Sequence, residues 1–202
     1  MFTAFQSLAA GLNNRIEYVE NYNSYAIENM RTYKIPASIT LAQGILESGS
    51  GKSELARKSN NHFGIKCGSY WTGGKTYHDD DSKNECFRSY KSVLESYYDH
   101  SEFLTKNKRY SELFLLNMDD YKSWAEGLSK AGYATNPNYA SRIISIIEDL
   151  KLYTFDEETN TPKQIGEYIS SQSRNVQTVN DLNIIKVKEG DTYYKLAKRF
   201  GL

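Results

Sequence analysis

The segment from Ile35 to Cys67, IPASITLAQGILESGSGKSELARKSNNHFGIKC, constrains this chain more than any other stretch. Pro36 suits the first turn of a helix, where a missing N–H leaves no hydrogen bond unmade. Ile39, Ala42, Ile45 and Leu46 recur on one helical stripe, which predicts a core-facing side. Thr40, Gln43, Gly44 and Glu47 share the other side. Gly49 and Gly51 follow at once and end the helix. Glu47 therefore falls in the last turn, where the negative end of the helix dipole opposes a second negative charge. Partial burial acts in the same direction. A carboxyl still protonated near neutral pH can give its proton to a leaving group. The glycines leave bare backbone beside it, so a bulky polymer has room to approach.

The remaining segments read as helices gathered around this one. Phe2 to Leu12 is a short apolar lead-in, and Asn14 to Tyr33 is a longer helix carrying Ile16, Val19, Ala26 and Met30. Ser53 to Ser59 predicts a short helix. Ser92-Val93-Leu94-Glu95 is a capping box opening a helix to about Thr105. Ser111 to Leu116 is a short helix or turn. Asp120 caps a helix with Tyr121, Trp124, Ala125, Leu128 and Ala131 in period, ended by Gly132. Asn136-Pro137 caps and starts the last long helix, with Ala140, Ile143, Ile144, Ile147 and Leu150 as its buried stripe. Lys75 to His78 and Glu85 to Tyr90 read as a hairpin, the only convincing β element of the chain, flanked by Gly73-Gly74 and the turn residues 79–84.

Composition excludes several classes. Lys+Arg and Asp+Glu number 25 each, so no basic bias recommends a nucleic-acid or anionic-membrane partner. No run approaches the ~20 apolar residues of a membrane span. Met1-Phe2-Thr3 lacks the basic start of a signal peptide. Two cysteines are too few for a structural zinc site, neither HExxH nor CxxC occurs, and His62, His78 and His100 are scattered, so no metal or cofactor is expected. The 17 tyrosines suit a sugar-binding groove and equally a helical core.

The run Ala42 to Ser53, together with Asn60-Asn61-His62-Phe63-Gly64-Ile65-Lys66, closely resembles the family 73 glycoside hydrolases. These are bacterial glucosaminidases of flagellar and autolysin type that act on peptidoglycan. Ala131-Gly132-Tyr133-Ala134-Thr135-Asn136-Pro137-Asn138-Tyr139-Ala140 resembles the family's second motif. The resemblance runs from about Ile16 to Tyr153. It implies a mainly α, lysozyme-like fold with a small β lobe facing the Glu47 helix. It also implies an endo-β-N-acetylglucosaminidase that cleaves between N-acetylglucosamine and N-acetylmuramic acid, with Glu47 as general acid. Tyr133 inherits a groove-lining role, with Asn61, Phe63 and Tyr139 as further substrate-binding candidates. Asn136 stands where the family usually has Asp. The glutamate that many relatives carry on the β lobe has no counterpart between Gly74 and Asn84; Asp79-Asp80-Asp81 stands there, and Asp79 and Asp80 are the candidates for a second acid.

A wall enzyme works in an oxidising place (periplasm, cell wall or medium), so Cys67 and Cys86 are expected to be paired across the hairpin segment. Residues 1–156 are read as the catalytic domain, expected to be monomeric, with peptidoglycan strands as its partner. Residues 157–183 are a polar linker. Residues 184–202, IIKVKEGDTYYKLAKRFGL, resemble the first half of a LysM module, a glycan-binding fold. Two rival readings use the same residues: a lytic transglycosylase, which also needs one glutamate on a lysozyme-like scaffold, and a wall-binding protein without catalysis.

Overall fold

The computed structural model describes residues 2–80, 82–157, 176–179 and 182–185, with side chains over 11–80 and 82–157. The chain divides into two units, 1–158 and 159–202. The first is built on a central helix. Helix α1 spans Phe2–Tyr33, α2 Ala37–Ser48, α3 Glu54–Ser59, α4 Val93–Lys106, α5 Tyr121–Lys130 and α6 Tyr139–Asp149. Two 3-10 helices, Lys108–Leu115 and Leu152–Phe155, join or follow them. Strands β1 Gly74–His78 and β2 Glu85–Ser89 pair antiparallel, with Thr76 opposite Phe87 and His78 opposite Glu85.

The two helices expected before Tyr33 are one. Gly11 with Asn13-Asn14 reads as a break, but an interior glycine costs a helix only about 1 kcal/mol. The buried stripe of Tyr18, Val19, Ala26, Ile27 and Met30 holds the helix through its second half. Helix α2 also departs from expectation. Every residue from Ala37 to Ile45 is buried, including Thr40, Gln43 and Gly44, whereas Leu46 is only partly covered. Helices α1, α5, α6 and the second 3-10 helix all pack against it, so it has no solvent face until its last turn. Pro36 takes the N-cap position just before the helix and, having no polar side chain, makes no side-chain capping bond. Instead, Asp156 reaches back across 118 residues: its carboxylate accepts the Ser38 N–H at 2.8 Å and the Ser38 hydroxyl at 2.6 Å. The last residues of the unit thereby satisfy the first orphan donors of its central helix.

Helix α6 begins at Tyr139, later than the Asn136-Pro137 start, because Asn136 is used in a turn: its side chain accepts the Asn138 N–H at 2.9 Å. Its buried residues are Tyr139, Ile143, Ile146 and Ile147, so Tyr139 and Ile146 replace Ala140 and Ile144 in the stripe. The β lobe is anchored to the segment before it. Cys67 and Cys86 are disulfide-bonded, the Cys67 N–H donates to the Cys86 carbonyl at 2.9 Å, and the Arg88 N–H donates to the Ile65 carbonyl at 2.9 Å.

In the second unit, β3 Val176–Val179 pairs antiparallel with β4 Leu182–Ile185. The stretch read as a linker thus contains a strand, because Val176 and Val179 supply the β-branched positions that its polar composition masked. The half-LysM reading falls, beyond Ile185, outside the described residues.

Candidate active site

Glu47 is the only charged residue of α2 and sits in its last turn, before Gly49 turns left-handed at φ 55°. Its side chain leaves the packed core at the point where the helix emerges. Burial pushes the carboxyl up to about 7, against the pull of the Arg142 charge and a hydrogen bond from Tyr139; the Asp80 charge pushes it further up. These four influences come from the helix itself, from α6 and from the β lobe. Tyr139 is buried and passes the contact on, its hydroxyl accepting from Gln43 Nε2 at 2.8 Å. Tyr139 therefore holds the acid from beneath and is not a groove surface.

Tyr133 stacks on Tyr139 with ring centroids 5.6 Å apart and is only partly covered. Burial raises its hydroxyl well above the ordinary tyrosine value, and the Glu47 charge adds to this. The structure thus brings Tyr133, Tyr139, Glu47 and Asp80 into one neighbourhood. On the lobe, Trp71 meets Tyr90 edge-on at 5.9 Å and lies under the Arg88 guanidinium at 4.5 Å. Arg88 is in turn gripped by both oxygens of Asp99 at 2.8 Å.

The two aspartate candidates separate. Asp79 accepts the Asn84 N–H at 2.7 Å and so closes the hairpin turn. Asp80 carries an ion pair to Lys66 at 3.4 Å and lies within electrostatic reach of Glu47. Lys66 also binds Glu85 at 3.0 Å. Asp81 lies outside the described residues.

Asn61 and Phe63 are not in the groove. Asn61 is buried, donating to the Ile65 and Arg88 carbonyls and accepting the Phe63 and Ile65 N–H groups, so its amide is spent on holding the loop to β2. Phe63 is buried, stacked on His100 at 4.0 Å and edge-on to Tyr97 at 4.9 Å. Beneath the helix end runs a buried polar chain. Tyr97 donates to the Tyr18 hydroxyl at 3.0 Å, and that hydroxyl meets His62 Nδ1 at 2.9 Å. Ser48 accepts the Gly51 N–H at 2.7 Å, fixing the turn after the acid. Among the described residues no three His, Cys, Asp or Glu side chains gather as a metal site, and no helix is long and apolar enough to cross a membrane. Arg142 escapes a reading of motifs. The signal that finds it is spacing, since it lies one helical turn after Tyr139 on α6.

Residues 23–152 match the glucosaminidase model, described as mannosyl-glycoprotein endo-beta-N-acetylglucosaminidase. The chain belongs to the glucosaminidase family. Over 174 residues it is 33% identical to the exo-glucosaminidase LytG of Bacillus subtilis, covering 80% of this chain and 61% of that protein. Over 145 residues it is 32% identical to the peptidoglycan hydrolase FlgJ of Vibrio parahaemolyticus, covering 66% and 47% respectively. The chain spans about half to three fifths of the length of these curated relatives. Among solved structures it is similar to the glycoside hydrolase domain of Salmonella typhimurium FlgJ, at TM-score 0.59 and 29% identity over 78% of this chain and 96% of that one. It is also similar to a peptidoglycan hydrolase from Sphingomonas sp. A1, at TM-score 0.61 and 26% identity over 80% and 97%. The glucosaminidase fold here is accordingly the mainly helical, lysozyme-like one with a small β lobe.

Proposed function

We propose that this glucosaminidase cleaves the N-acetylglucosamine to N-acetylmuramic acid bond of peptidoglycan within the strand, in the periplasm, the cell wall or the medium. Glu47 is the general acid. The observation that carries the reading is its placement: one carboxyl on an otherwise uncharged, buried helix, mostly buried itself yet partly exposed, and held up to about 7. A group with that pKa is protonated in a large fraction at neutral pH, which a leaving-group oxygen requires. Tyr139 orients it, and Tyr133 and Trp71 offer ring faces and edges on which sugars pack. Asp80 is the second carboxylate, stabilising positive charge at the sugar ring or activating water, with Lys66 steering it. The tail's resemblance to half a wall-binding module fits the same substrate.

Digestion of purified peptidoglycan, followed by mass spectrometry of the new termini, tests this. Reducing N-acetylglucosamine ends on fragments of mixed length are expected. Single N-acetylglucosamine released from chain ends would make the cut terminal, as the name of the Bacillus relative says of that protein. Anhydro-muramic ends would replace hydrolysis by a transglycosylase reaction, and no release would leave a binding protein.

A further inference from the structure

An open pocket of about 190 Å³ is lined by Arg15 from α1, Leu46 from α2, and Ser141, Arg142, Ser145 and Ile146 from α6. Arg142 links this pocket to the acid: it lines the pocket and its charge acts on the Glu47 carboxyl. Arg142 has no ion-pair or side-chain hydrogen-bond partner among the described residues. Arg15 meets Asp149 only at 3.8 Å, with both side chains substantially in water, an arrangement that contributes little. The serines are already engaged: Ser141 donates to the Asn138 carbonyl at 2.9 Å and Ser145 to Asp149 at 3.3 Å. What the cavity offers a ligand is therefore two guanidinium groups over an apolar floor of Leu46 and Ile146. Planar guanidinium forks match carboxylates in shape as well as charge.

We propose that this cavity is a carboxylate subsite, in which Arg142 and Arg15 receive an acidic group of the strand beside the sugar being cleaved. The inference rests on the reading of the chain as a peptidoglycan glucosaminidase. The strand carries carboxylates of two sources: the lactyl group where the peptide has been removed, and the stem peptide where it has not. Either distinguishes peptidoglycan from a neutral N-acetylglucosamine polymer, which the backbone sugars alone do not.

The test reads binding, so that it is separate from cleavage. In the Glu47→Gln background, intact strands survive and their affinity is measured by titration calorimetry. Four probes are used: peptide-stripped strands and stem-bearing strands, each before and after conversion of the carboxylates to methylamides. The carboxylate form is expected to bind about tenfold more tightly than its amide, a preference that weakens as salt rises. Adding Arg15→Gln or Arg142→Gln should abolish that preference, and Arg142→Lys should restore part of it. Whichever strand type shows the larger preference identifies the source. Equal binding of acid and amide strands, or a preference that survives both glutamine substitutions, overturns the subsite. Wild-type digestion of the same strands reports separately on the glucosaminidase reading.

Discussion

Glu47 and Asp156 are both held up to about 7, chiefly by burial. A folded chain with raised carboxyl pKa values holds more protons than the unfolded one between the ordinary carboxylate range and about 7. The stability these two groups contribute is therefore full at low pH and lost as pH rises through about 7. Activity should fall over the same upper range, because the proton-donating form of Glu47 disappears; kcat/KM measured from pH 5 to 9 checks it. Glu47→Gln should lower turnover by about 10²–10⁴-fold or more. It should also raise the melting temperature at pH 8 more than at pH 5, since only at pH 8 does it remove a buried charge. Asp80→Asn should lower turnover on glycan strands with little change in melting, whereas Asp79→Asn should loosen the hairpin turn. Equal kinetics for wild type and Asp80→Asn would leave the substrate's own acetamido group as the better account. Glu47 was legible because its signal is local: a helix end, one acid and two glycines. Asn61 was not, because polarity beside an aromatic reads alike for a groove and for a loop clasp. The partner that decides, the Arg88 carbonyl, lies 27 residues away.

At the scale of the element, α2 is more deeply enclosed than its apolar stripe implies. Its polar residues tolerate burial because donors on them bond at home or across a helix contact, although Gln43 Oε1 is buried without a hydrogen-bond partner among the described residues. Thr40 donates to the Pro36 carbonyl at 3.3 Å, and Gln43 donates to Tyr139. Periodicity counts such residues as solvent-facing, which is why it assigned the helix one buried side. Gly44 is the position where enclosure is tightest: a Cβ there would stand 2.3 Å from the Tyr18 hydroxyl and 3.0 Å from its ring. Tyr18 cannot yield freely, being fully buried and bonded to His62 and Tyr97. Gly44→Ala should therefore destabilise by about 1–3 kcal/mol in chemical denaturation, through overpacking. Pairing it with Tyr18→Phe, which removes the nearest atom, should recover part of the loss. Independent, additive effects of the two substitutions would mean the contact is not what makes glycine necessary.

For the whole molecule, the division at 158 and the Asp156 clasp belong together. A chain cut after Glu157 keeps the carboxylate on Ser38, and should fold and cleave soluble glycan fragments like the full-length chain. A cut after Phe155 leaves the buried Leu152 and Phe155 in place but removes the clasp, and should lose about 1–3 kcal/mol of stability by thermal or urea unfolding. Equal stability of the two would show that the clasp holds nothing. The boundary near 156 was readable from composition, since apolar periodicity stops there. The clasp was not, because a lone aspartate before a polar run has no local pattern that tells of a helix 118 residues upstream. A catalytic unit whose own final residues complete its central helix carries the cap of that helix within its own bounds. A tail joined after Glu157 leaves that cap intact, which lets where the enzyme is delivered and what it cuts vary as separate traits.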